Sequence, residues 1–266
     1  MTSARLQASQ DAVLELDGIG KRFDSPASTF VALDGIDMQV QPGEFVSILG
    51  PSGCGKSTLL YMIGGFIPPS SGAIRAAGAP VTGPGRDRGI VFQDAALFPW
   101  LTVAANIGYG LREGGMNRGD VARTVASMLS LVHLDGFADF YPGQLSGGMR
   151  QRVAIARTLA YDPAILLMDE PFGALDAYTR TVLQDELLSI QDHQKKTVVF
   201  VTHSVDEAVY LSDRVVVLNR SPGRIHDEVR INLPRPRIRQ ELLRCDAYQE
   251  HVISLGKTMM HMHSHE

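Results

Sequence analysis

The chain has 266 residues, 44% of them hydrophobic, and a net charge of −4. That length supports one large domain or a core with a subdomain, and the mild acidity excludes the global basic field that drives nucleic-acid binding. Its two cysteines, Cys54 and Cys245, stand far apart in unlike surroundings, which excludes a disulfide framework and fits a reducing compartment. No apolar run approaches the ~20 residues needed to cross a bilayer. Met1–Gln10 has no apolar stretch of the secretion-signal kind. The chain is therefore expected in the cytosol, held at any membrane by other chains.

In chain order, residues 13–23 and 36–40 read as strands opening a β-rich layer, and Phe45-Val46-Ser47-Ile48-Leu49 as a short buried strand running into a glycine loop. A helix is expected from Lys56 with Leu59, Leu60 and Ile63 on its buried side, stopped by Gly64-Gly65 and Pro68-Pro69. Residues 74–81 and 89–93 read as further strands. From Asp94 to about Tyr161 the character is helical. Val121, Val125, Met128, Leu129 and Val132 fall at helical spacing there. After Pro163 the strand–helix alternation returns: a strand at 165–168, a helix at 176–192, a strand at 197–202, a capping-box helix start at Ser204-Val205-Asp206-Glu207, and a strand at 214–218. This alternation implies a mainly parallel sheet covered on both faces, with the helical block inserted into it. The tail after Leu233 reads as a turn and then a loosely attached helical segment. No internal repeat is present.

Three segments carry chemistry. Gly50-Pro51-Ser52-Gly53-Cys54-Gly55-Lys56-Ser57, continued by Thr58, fits G-x-x-x-x-G-K-[ST] at every fixed position, after a strand and before a helix. Its glycines let N–H groups point inward at phosphate oxygens, and the helix start adds the positive end of a dipole. Lys56 supplies a cation for the β- and γ-phosphates and Ser57 a hydroxyl for Mg²⁺. Cys54 reads either as a thiol activated by the helix start or as a small residue tolerated there. About 90 residues on, Leu145-Ser146-Gly147-Gly148-Met149 opens a helix, and Ile165-Leu166-Leu167-Met168 leads into the acids Asp169 and Glu170. Two acids at a strand end and a serine N-cap each have a purely structural reading. Their order along the chain does not.

These three segments in this order resemble the nucleotide-binding subunit of an ATP-binding cassette (ABC) protein over nearly the whole chain. The resemblance implies an α/β fold: a P-loop NTPase (RecA-like) core with a β-rich subdomain over 11–93 and 162–232, an inserted α-helical subdomain over 94–161, and a C-terminal tail over 233–266. It implies ATP and Mg²⁺ as ligands. Asp169 would orient water on Mg²⁺ and Glu170 would be the general base. Gln93 resembles the Q-loop glutamine, touching Mg²⁺ or water, and His203 the H-loop histidine on the γ-phosphate. Gly173-Ala174-Leu175-Asp176 resembles the D-loop of the dimer interface. Phe23 resembles the aromatic that stacks on adenine, with a core residue at a strand edge as the alternative. Ser146, Gly147 and Gly148 would close over the ATP of a partner subunit, with Gln151 as an added contact, so the resemblance predicts a homodimer or a paired cassette. Met149 departs from the family's glutamine but leaves the serine and the glycine amides in place.

Phe98-Pro99-Trp100-Leu101-Thr102-Val103, with Asn106-Ile107 and the run from Leu145 to Arg152, is similar to importers of nitrate, alkanesulfonates and taurine, and to related thiamine-precursor importers. That implies integral-membrane permease subunits, an extracellular or periplasmic solute-binding protein as an indirect partner, and a peripheral place on the cytoplasmic face of the inner membrane. No nucleic-acid partner is expected. A soluble ABC ATPase not tied to transport is the competing reading. Arg235, Arg237, Arg239 and Arg244 lie either near anionic lipid or an acidic partner, or on a solvated surface. His261, His263 and His265, alternating with Met259, Met260 and Met262, read as a weak metal site or a disordered end.

Overall fold

The computed structural model describes residues 12–263 other than 27, 174 and 221, with the backbone alone at His263. The expectations for Met1–Gln10, Ala174, the His263 side chain and His265 lie outside the described residues. Two compact units emerge, one from Met1–Gly85 with Leu188–Glu266, the other from Arg86–Leu187.

In the first unit, β1 (Leu14–Ser25) and β2 (Ser28–Val40) form a long antiparallel hairpin from Leu14↔Val40 to Ser25↔Ser28, its register shifted by irregularities between Leu16 and Arg22. Both strands run past the ends read from the sequence, because backbone pairing continues beyond the buried alternation: the hairpin tip is exposed. β3 (Phe45–Leu49) is buried at every position. It delivers the chain to α1 (Lys56–Ile63), which buries Leu59, Leu60, Met62 and Ile63. The single strand expected over 74–81 is instead β4 (Ser71–Ala76) and β5 (Ala79–Pro80), turned on Ala77 and Gly78, both at positive φ. Two left-handed residues make the tight turn whose twist suits a hairpin. β2, β1, β4 and β5 lie side by side in that order.

In the second unit, β6 (Arg88–Val91) pairs in parallel with β7 (Ile165–Asp169), Arg88 opposite Ile165 and Val91 opposite Met168. Between them run α2 (Val103–Ile107), α3 (Tyr109–Glu113), α4 (Arg118–Leu131) and α5 (Gly147–Ala160). Val103, Ile107, Leu111, Val121, Val125, Leu129, Val153 and Ala156 make one core, with Met128 and Met149 packed against it. The five helix positions read from spacing thus face that core, Met128 only in part. α6 (Ala177–Gln194) begins in this unit.

Back in the first unit, β8 (Thr197–Thr202) pairs in parallel with β3, Phe45 opposite Val198, and β9 (Arg214–Leu218) pairs in parallel with the other edge of β3. α7 (Val205–Leu211) connects them. β10 (Ile225–Arg230), not read from the sequence, lies antiparallel on β9; four of its six residues are exposed, which leaves little apolar signal. α8 (Arg239–Leu242) and α9 (Asp246–His263) complete the chain.

The tail corrects two expectations. It is docked, burying Leu233, Leu242, Tyr248, Leu255 and Met259. The end is helical to His263, and Met259 is spent on packing rather than turned to a metal. Three of its four arginines bind within this chain. Arg235 pairs with Asp192 at 3.0 Å and Asp213 at 2.9 Å. Arg237 is buried and donates to the carbonyls of Val209, Tyr210 and Ser212 at 3.3, 2.7 and 2.7 Å, at the negative C-terminal end of α7. Burial lowers its pKa to about 10, so it keeps its charge at neutral pH. The Arg239 guanidinium sits 3.8 Å from the Tyr210 ring centroid. Arg244 alone of the four is exposed.

Candidate nucleotide-binding site

The loop between β3 and α1 is shaped by its glycines and its lysine. Gly53 and Gly55 have φ of 80° and 97°, the left-handed region that side chains rarely enter. At Gly55 a Cβ would also fall 2.7 Å from Leu33 Cδ2. Lys56 is 5% exposed, with Nζ donating to the carbonyls of Gly50 (2.8 Å) and Pro51 (3.0 Å). The loop therefore wraps its own ammonium. The first turn of α1 closes on the loop, the Leu59 amide donating to the Gly55 carbonyl at 2.8 Å. Pro51 and Cys54 are buried, Ser52 and Gly53 exposed, Ser57 and Thr58 half-buried. A cation held by two loop carbonyls at the start of a helix suits a polyphosphate. Burial pushes the Cys54 thiol up, with Lys56 opposing the shift, so the activated-thiol reading fails. The Arg220 guanidinium, which sequence reasoning did not single out, binds the Ser52 carbonyl through two nitrogens. No local spacing announces a contact across 168 residues.

Two further expected residues belong to this unit. Phe23 is 43% exposed near the hairpin tip, opposite the exposed Phe30, with Lys21 Nζ 5.1 Å from its ring centroid. Its ring is open to a ligand and is not a core residue. His203 is exposed between two anchored neighbours. Thr202 Oγ1 donates to Glu207 at 2.6 Å, the Ser204 amide donates to Thr202 Oγ1 at 3.0 Å, and the Glu207 amide donates to Ser204 Oγ at 3.4 Å. These bonds fix the backbone on which the imidazole is presented.

In the second unit, Asp169 is 1% exposed at the end of β7. Glu170 follows half-buried with φ of 41°. A non-glycine residue held in the left-handed region costs on the order of 1–3 kcal/mol and such strain clusters at functional positions. The Gly173 amide donates to the Glu170 carbonyl at 3.1 Å, and a Cβ on Gly173 would lie 3.4 Å from that oxygen and 4.0 Å from Gln93 Nε2. The turn after Glu170 and the Gln93 amide are thus neighbours.

The signature segment opens α5. Ser146 is its N-cap, accepting from the Met149 amide at 3.2 Å, and Ser146 and Gly147 are exposed. Gly148 has no room for a side chain: a Cβ would fall 2.8 Å from Thr179 Cγ2. Gln151 corrects the expectation of a nucleotide contact. It is 4% exposed and donates through Nε2 to the Phe92 carbonyl at 3.2 Å, committed inside the subunit. Arg157 reaches the carbonyls of Ala95 and Ala96 at 3.2 and 2.9 Å. α5 therefore holds the backbone on both sides of Gln93. Nearby, buried Asn106 bonds to Phe98, Leu101 and Thr102 and fixes a turn that displays Trp100, 70% exposed. Phe98 links Trp100 to Tyr109, with centroids 5.7 and 4.7 Å away.

The family model for ABC transporters matches residues 33–173. The chain belongs to the ABC transporter family, as an ATP-binding subunit and an ABC-type ATPase. It is 53% identical over 229 residues to an uncharacterized ABC transporter ATP-binding protein of Methanocaldococcus jannaschii, covering 86% of each chain. It is 47% identical over 224 residues to the aliphatic sulfonates import ATP-binding protein SsuB of Bacillus cereus, covering 84% of this chain and 88% of SsuB. Among solved structures it is similar to a dimeric ATP-binding cassette in a post-hydrolysis state bound to ADP and Pi, at TM-score 0.76 and 33% identity, over 83% of this chain and 100% of that one. Among the described residues no helix is long and apolar enough to cross a membrane.

Proposed function

We propose that this chain is the ATP-hydrolysing subunit of an import complex, working as a pair of cassettes with two ATP molecules between them. Each ATP lies between the Gly50–Thr58 loop of one subunit and the Ser146–Gly148 turn of the other, with Phe23 stacked on adenine. Lys56 and the α1 amides hold phosphate oxygens. Ser57 and Asp169 offer hard oxygen donors of the kind Mg²⁺ takes, with Gln93 able to join through its amide oxygen. Mg²⁺ takes few protein ligands and keeps the rest of its shell from phosphate and water. Bound there, Mg²⁺ would neutralise charge on the β- and γ-phosphate oxygens. Glu170 accepts the proton of the attacking water, and His203 donates to the γ-phosphate.

The observation that carries the paired arrangement is the open start of α5, where Ser146 and Gly147 face solvent while Gln151, one turn on, is turned inward. The import reading is supported by the likeness to SsuB and by Trp100 on its fixed turn, which suits a groove for a permease. The solute is a small anion such as nitrate, a sulfonate or taurine, and the complex sits at the cytoplasmic face of the inner membrane with a solute-binding protein outside. Tagged Glu170→Gln protein, loaded with ATP and pulled down from solubilised membranes, should bring a polytopic permease with it. Recovery of ribosomal or DNA-repair proteins alone overturns the import reading.

A further inference from the structure

Arg220 lies just past β9, in the turn that leads to β10, outside every motif described above. Its Nε and Nη2 both donate to the Ser52 carbonyl, at 2.8 and 2.6 Å. The turn that carries it is itself anchored. The Arg224 amide donates to Asn219 Oδ1 at 2.8 Å, and Arg224 pairs with Asp34 on β2. The Gly223 amide donates to the Ala32 carbonyl and the Asp34 amide to the Gly223 carbonyl, each at 3.0 Å. Gly223 passes so close to the phosphate loop that a Cβ there would lie 2.2 Å from the Cys54 carbonyl oxygen. One braced turn thus touches the loop twice, by a guanidinium at Ser52 and by bare backbone at Cys54.

A trans peptide is planar, with its C=O and N–H on opposite sides. A fork that fixes the Ser52 carbonyl on its own side therefore turns the Gly53 amide the other way. Both Ser52 and Gly53 are exposed, and Gly53, at φ of 80°, has no side chain to hold that plane. We propose that Arg220 is a positioning residue for nucleotide binding, presetting the Gly53 peptide so that its N–H faces the phosphates. The guanidinium acts through the loop, since two of its nitrogens are committed to the Ser52 carbonyl. This rests on the reading of residues 50–58 as the phosphate loop.

Calorimetric titration of MgADP into the full-length wild type, R220A, R220K and K56A tests it. R220A should bind about tenfold more weakly, the order expected on losing a charge-assisted hydrogen-bond pair, while the melting temperature of the nucleotide-free protein stays put. R220K should recover only part of the loss, because an ammonium is a point donor and not a planar fork. Amide exchange at Gly53 should quicken in both variants. Wild-type affinity in R220A overturns the inference, and so does wild-type affinity in R220K. If R220A lowers the melting temperature of the free protein, R220K, which keeps the charge and the stem, decides. K56A separates the two levels of the argument: unimpaired binding there overturns the phosphate-loop reading itself.

Discussion

At the start of α1 the loop carbonyls are held by cations of the same subunit; at the start of α5 the backbone is left open. Around α1, Lys56 ties the Gly50 and Pro51 carbonyls, Arg220 ties that of Ser52, and Gly55 abuts Leu33. Around α5, Gly148 is pressed on Thr179 and Gln151 on Phe92, so the helix is fixed from beneath. Ser146 and Gly147 are nonetheless exposed. Both are glycine-bearing helix starts, and both can take an anion. One is finished within the fold and ready for its own ligand. The other is fixed from beneath but open above, as the proposed pairing of two subunits requires.

The largest effect should fall where both surfaces are needed at once. Glu170→Gln removes the proposed base and should slow ATP turnover by about 10²–10⁴-fold without weakening ATP binding. Size-exclusion in MgATP should then show a lasting dimer, and wild-type turnover in that variant would refute the assignment. Lys56→Ala should weaken ATP binding by the isolated subunit about 100-fold, as expected on losing charged hydrogen bonds to two phosphates, read by calorimetry. Ser146→Ala should sharpen the contrast. Turnover should fall about tenfold while MgADP binding by the isolated subunit is unchanged, with a loss of about 1 kcal/mol in stability from the missing cap, read by denaturant titration. An equal loss of MgADP affinity in Ser146→Ala would erase the distinction between the two helix starts. The smallest effect is at Cys54. Its thiol is buried and its pKa raised, so at pH 8 iodoacetamide should label the half-exposed Cys245 well before it, and ADP should change neither rate much.

How much of this was legible follows from where the determinants lie along the chain. The strand at 45–49, the helix from Lys56 and the strands ending at Asp169 and Thr202 were legible because each depends on neighbours within a few residues: apolar runs, glycine spacing and helix-face periodicity. The orientation of Gln151 was legible too, and was misread. It stands three and seven residues before Ala154 and Thr158, both buried, which puts it on the inner face of α5 by the same periodicity. The arginines at 235 and 237 were not legible, since their partners are carbonyls and acids more than 20 residues away. Arg220 is the extreme case, with 168 residues between it and its acceptor. β10 escaped because an edge strand with exposed faces carries no alternation to read.

The docked tail has a genetic consequence. A nonsense mutation at Arg235 would spare every motif residue from Phe23 to His203. The truncated product would lose the cation set between Asp192 and Asp213, and the Val209, Tyr210 and Ser212 carbonyls would lose their guanidinium. Such an allele should score as a loss of protein abundance rather than of chemistry, rescued by low growth temperature and not by a high supply of ATP.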